Sequence, residues 1–145
     1  WKVAGMLHDL DWDKLNKDYE AHCGDTLEHL LKTIDAPAEL LGDIRAHYAS
    51  KYGAEHPLDT MLRKAPYCAD ELTGFIIAVA RVRPSKQIAD VEVSSVTKKL
   101  KDKAFARSVD RSYVYGGAEA IGRPLADHVS FLIEALKPAA DEIGL

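Results

Sequence analysis

Apolar residues recur at helical spacing along nearly the whole chain. Trp1, Val3, Ala4, Leu7 and Leu10 predict a first helix, broken by the polar run Asp11–Asp13. Leu15, Tyr19 and His22 predict a short second helix, which Gly24 would end. Asp25 suits the N-cap of a third helix carrying Leu27, Leu30, Leu31 and Ile34. Pro37 suits the first turn of a fourth, with Leu40, Leu41, Ile44 and His47 three or four apart. "SKYGAEHP" reads as a loop. A fifth helix is expected over 58–64, kinked or restarted at Pro66. The longest apolar helix follows in "YCADELTGFIIAVARVR", stopped by Pro84. "VEVSSVTKKLKDKAFAR" predicts a helix capped by Ser94 or Ser95 and then a turn, and "SYVYGG" a helix end or turn. Leu125, Val129, Leu132, Ile133 and Leu136 mark a final amphipathic helix. "IADVEV" alternates briefly, but it is too short and isolated to found a sheet. The pattern predicts a compact all-α domain.

The length of 145 residues fits one domain spanning 1–145. With 47% hydrophobic and 29% charged residues the chain has the make-up of a globular protein with a core of its own. A formal charge of −4 argues against general nucleic-acid binding. Cys23 and Cys68 make no disulfide framework and no CxxC pair, which points to a reducing cytoplasm. No apolar stretch approaches the ~20 residues of a membrane span, and no signal peptide is visible. The chain opens on Trp1 inside an apparent helix, so a missing natural N-terminal segment is expected.

Chemistry concentrates early. Five of the six histidines, His8, His22, His29, His47 and His56, fall in the first 56 residues. His8, Asp9 and Asp11 follow an apolar run, where bare imidazoles and carboxylates are costly to bury. Either they sit at a solvated helix end with Asp11 capping the turn, or a metal ion compensates them. On a helix, neighbours point about 100° apart, so His8 and Asp9 can straddle one ion. Asp70 sits among apolar and small residues, as an ion-paired carboxylate, a residue on the helix's polar edge or a ligand. Gly74, one turn on, leaves the backbone open to a neighbouring helix or a ligand. His22, His29 and His47 read as core histidines or ligands, His56 and His128 as surface or packing residues. No GxSxG, GxGxxG or P-loop is present, and neither cysteine has a basic setting.

"LHDLD", then His29, then "IRAHYAS" and "CADELTG", together resemble the HD superfamily of metal-dependent phosphohydrolases. The similarity continues through "VARVRPSK" and "VTKKLKDKAFARSVDRSYV", and is to the bacterial HD-domain hydrolases of poorly defined substrate. The resemblance implies a compact HD-domain-like bundle of about seven to eight helices. It makes His8, Asp9 and Asp70 metal ligands, with His29 and His47 matching histidines used for a second metal or for phosphate. The family's first histidine precedes the HD pair by a few tens of residues, whereas none of the seven residues before His8 is a histidine. His29 or water would then have to fill the vacant position.

The implied function is hydrolysis of a phosphate ester or nucleotide by a metal-activated water. Asp9 or Asp70 would take the water's proton as catalytic base. The alternative is a non-catalytic HD-like module that binds a metal or ligand. Nitrogen and oxygen ligands without a thiolate favour Mn, Fe, Co, Ni, Zn or Mg as the divalent ion. The basic cluster Lys98, Lys99, Lys101, Lys103 and Arg107 is either a substrate-phosphate contact or a solvated helix face. The expected partner is a small phosphorylated substrate, with no membrane.

Overall fold

The computed structural model describes residues 1–145 and is all helical, with no strand and six helices of seven or more residues. The chain forms two compact units, Trp1–Tyr67 and Cys68–Leu145. No helix is long and apolar enough to cross a membrane.

In the first unit, α1 (Lys2–Leu7) is followed by a run of turns to Gly24, then α2 (Asp25–Thr33), α3 (Ala38–Arg45) and the short α4 (Ala49–Tyr52). α3 packs against both α1 and α2. Ala4, Cys23, Leu27, Leu31, Leu40 and Ile44 form the core, with Leu7, Leu10, Leu41 and Leu62 around it. Three expectations change here. No helix forms over Leu15–His22, because Asn16 and Lys17 take positive φ and fold the segment into turns. Asp25 and Pro37 each shift by one position: Gly24 is the cap before Asp25, and Pro37 is itself the cap of α3. Part of the expected loop "SKYGAEHP" winds into α4.

α5 (Met61–Arg81) runs unbroken through Pro66, where a kink or restart was expected. An interior proline costs about 3 kcal/mol. Immediately after it the helix buries Leu72, Phe75, Ile76 and Val79, each worth roughly 1.5–3 kcal/mol, so burial outweighs the defect.

The second unit holds the rest of α5, a 3-10 turn at Ile88–Asp90, α6 (Val93–Leu100), α7 (Arg111–Ala120), α8 (Leu125–Leu136) and the short α9 (Ala140–Ile143). α8 packs against α6 and α7. Phe75, Ile76, Val79, Val96, Val114, Val129 and Ile133 lie in its core. α6 is shorter than the sequence pattern suggests. Its cap is Glu92 rather than either serine, and the chain turns from Lys101 onward. Arg111 fixes those turns by donating to the carbonyls of Asp102, Phe105, Ala106 and Val109, with its guanidinium 5.1 Å over the Phe75 ring. "SYVYGG" lies within α7, whose N-cap Asp110 accepts the Ser112 N–H at 2.8 Å. The close backbone approach expected at Gly74 occurs instead at Gly117. A Cβ there would stand 2.7 Å from Cys68 Cα, whereas Gly74 faces open space.

Candidate metal centre

The first unit brings three histidines and two aspartates together. Helix termination sets two of the imidazoles. His8 caps the end of α1, and its Nδ1 lies 2.8 Å from the Gly5 carbonyl. His47 follows the end of α3, and its Nδ1 lies 2.6 Å from the Ile44 carbonyl. The last four carbonyls of a helix have no partner within it, so a ring three residues on finds a ready acceptor. His22 comes from the turn segment, and its Nδ1 meets Asp11 Oδ1 at 2.9 Å. Carbonyl and carboxylate oxygens only accept, so all three Nδ1 atoms carry the hydrogen, and in the neutral rings the Nε2 atoms present lone pairs.

Two of these nitrogens face each other, and the Asp9 carboxylate reaches the third. His22 Nε2 is 3.4 Å from His47 Nε2. The Asp9 carboxylate bridges two rings, Oδ1 lying 3.4 Å from His22 Nε2 and Oδ2 3.5 Å from His8 Nε2. Cys23 Sγ is 3.3 Å from His22 Nε2. The ring pairs His8–His47 and His22–His47 both meet edge to face. Two hydrogen-free nitrogens cannot hydrogen-bond to each other. Around a tetrahedral ion with bonds of about 2.0–2.3 Å, by contrast, adjacent ligand atoms stand about 3.3–3.8 Å apart. The buried group His22, Cys23 and His47 could hold a metal ion, since its ligand atoms all lie within 4.8 Å of one another.

Asp11 anchors the arrangement. It is 0% exposed, so the solvated helix-end reading does not hold for it. Its Oδ1 fixes the His22 ring, and its Oδ2 accepts the Cys23 N–H at 2.8 Å. Such an acceptor behind a ligating imidazole sets both its tautomer and its direction. Burial, reinforced by the charges of Asp11 and Asp9, pushes the Cys23 thiol far above its ordinary range. Trp12 packs edge-on against His22, and Tyr48 covers another side of that ring.

Of the residues singled out from sequence, His8, Asp9 and His47 therefore meet. His29 does not join them; it sits on the exposed side of α2. Asp70 belongs to the second unit, where it is exposed on α5. Beside it the Glu71 carboxyl is pushed up to about 7, by burial first and then by the Asp70 charge. Lys98, Lys103 and Arg107 are exposed on α6 and the turns after it, as a solvated face would be. Lys99 pairs with Asp102 at 3.4 Å and lies 4.7 Å over the Phe105 ring. The sequence reading left His22 open between core histidine and ligand, and it did not foresee Asp11 as the partner of His22 or the Cys23 thiol beside that ring. The adjacent pair His22–Cys23 before the turn residues Gly24 and Asp25 was the available signal. No family model, curated protein or solved structure matches the chain.

Proposed function

We propose that the chain is a metal-dependent phosphohydrolase acting on a small phosphate ester, a nucleotide among the candidates. One observation carries this reading: three imidazoles have their Nδ1–H already committed, His22 and His47 bring their Nε2 atoms to 3.4 Å, and the Asp9 carboxylate links His22 Nε2 to His8 Nε2. His8, Asp9, His22 and His47 would hold the ion, and the sequence resemblance adds Asp70. His22 supplies the further histidine that the resemblance requires and that the stretch before His8 lacks. A bound divalent ion supplies a Lewis acid that acidifies water and neutralises phosphoryl charge.

The chain's own residues divide the remaining work. The Asp9 side chain is 45% exposed, against 5% for His22, so Asp9 is the member of this pair that reaches solvent. It is suited to take the proton of a water attacking phosphorus. As the P–O ester bond breaks, that proton balances the charge on the departing oxygen. Asp11, Gly5 and Ile44 hold the three rings in one tautomer throughout. Trp12 and Tyr48 shield His22 and keep the local dielectric low, which strengthens every interaction with charge.

A second reading, a metal-holding module without turnover, is favoured by the burial of His22, Cys23 and His47. Structural metal sites are closed, whereas catalytic ones keep a position open. Elemental analysis combined with hydrolysis of p-nitrophenyl phosphate and bis(p-nitrophenyl) phosphate separates the two. The enzyme reading expects bound metal, turnover of one ester, and loss of turnover in both Asp9→Ala and Asp70→Ala. Metal without turnover of either ester would favour the module. Turnover that survives Asp9→Ala would overturn the site.

A further inference from the structure

We infer that Cys23 is a sulfur ligand of the same ion, completing a His22–Cys23–His47 donor set that selects zinc-like divalent ions over Mg2+ and Mn2+. This rests on the proposed metal centre and goes beyond it in naming the ion class.

Three observations converge on the thiol. Its Sγ stands 3.3 Å from His22 Nε2, and both share the span of 4.8 Å with His47. All three residues are buried, with Cys23 at 0% exposure, so a ligand here would be shielded from competing water. The third observation is conformational. Cys23 has φ 58, in the left-handed region that non-glycine residues rarely occupy. Side chains distant in sequence hold it there, Asp11 Oδ2 accepting its N–H and Arg45 Nε donating to its carbonyl at 2.9 Å. Glycine would adopt this backbone without strain, yet the glycine falls one position later, at Gly24, where φ is −87. Strain of this kind persists where the surroundings over-determine it, and here it sets the sulfur beside two imidazoles.

The chemistry is a ligand exchange with a simple balance. The S–H bond breaks, a sulfur–metal bond forms, and the proton passes to buffer, with no change of oxidation state. Two imidazoles and a thiolate suit zinc, cobalt or ferrous ions. Mg2+ prefers octahedral oxygen and sheds water reluctantly, so this set discriminates against it. The competing account is an S–H···N hydrogen bond from Cys23 to His22 Nε2, with the ion held by nitrogen and carboxylate alone.

The test uses the full chain, stripped of metal and loaded anaerobically with Co2+. The wild type and Cys68→Ser should show a near-ultraviolet sulfur-to-cobalt charge-transfer band that excess Mg2+ does not remove and Zn2+ does. Cys23→Ser should keep the visible ligand-field bands and lose the charge-transfer band. Its zinc affinity should fall by more than the roughly 10–100-fold typical of losing an outer-shell partner. Ligand-field bands without charge transfer in the wild type would overturn sulfur ligation and leave the proposed nitrogen–carboxylate centre standing. No cobalt absorption at all would overturn both. Should Cys23→Ser not fold, X-ray absorption at the zinc edge of the wild type decides. One sulfur at about 2.3 Å supports the inference, and a shell of nitrogen and oxygen alone ends it.

Discussion

Asp11 is a carboxylate with no solvent contact, and its two oxygens serve two different ends of the same turn. Replacing it with alanine leaves the His22 Nδ1–H and the Cys23 N–H buried without acceptors. We expect Asp11→Ala to lose about 3 kcal/mol, measured by urea unfolding of metal-free protein. Asp11→Asn retains an acceptor oxygen for one of these donors and should lose less. Metal affinity should still fall roughly 10–100-fold, because the His22 ring loses its charged anchor. Equal stability of the alanine variant and the wild type would mean that Asp11 anchors nothing. At this scale the sequence was informative about residue type and poor about partner. "LHDLD" marked His8, Asp9 and Asp11 as anomalous in an apolar setting. That Asp11 faces His22, eleven residues on, is not a helical register, since turns with positive φ at Asn16 and Lys17 intervene.

Among the elements, α5 and α7 approach each other without side-chain clearance at Cys68 and Gly117. Alanine at 117 would push its Cβ into backbone, which cannot swing aside as a side-chain tip can. Gly117→Ala should therefore cost about 1–3 kcal/mol, while Gly74→Ala, with open space around it, should gain roughly 0.5–1 kcal/mol. Thermal unfolding of the two variants side by side checks the pair, and a stable Gly117→Ala would contradict the close crossing. Sequence alone suggested a role for the wrong glycine. Both sit in helical segments, and helix periodicity reports which face is buried, not which residue meets another backbone. The helices themselves were legible where a long apolar stripe existed, as in α5 and α8. They were least legible at short elements such as α4 and α6, whose ends are set by loops such as the one Arg111 holds.

For the molecule as a whole, the candidate centre ties the ends of α1 and α3 to the turn segment between α1 and α2. An ion held there binds the folded chain and not the unfolded one. At a free concentration about a hundredfold above Kd it adds about 2.7 kcal/mol, or roughly 5–10 °C in Tm for a chain of this size. Differential scanning calorimetry of zinc-loaded and chelator-treated protein should show that difference, and Asp11→Ala should shrink it. Identical Tm values would leave a helical scaffold that owes nothing to metal.

The sequence by itself determined that the chain is helical, because apolar residues at spacings of three and four bury one face of a helix wherever it packs. It also marked His8, Asp9 and His47 as chemically unusual, since charged and imidazole groups beside apolar stripes need compensation. Tertiary structure decided which groups meet. His22 and Cys23 enter the centre, and His29 leaves it, because turn dihedrals and a buried carboxylate set directions in space that no periodicity encodes. The Nδ1 hydrogens are likewise a tertiary result, fixed only once the carbonyls of Gly5 and Ile44 and the carboxylate of Asp11 stand behind the three rings.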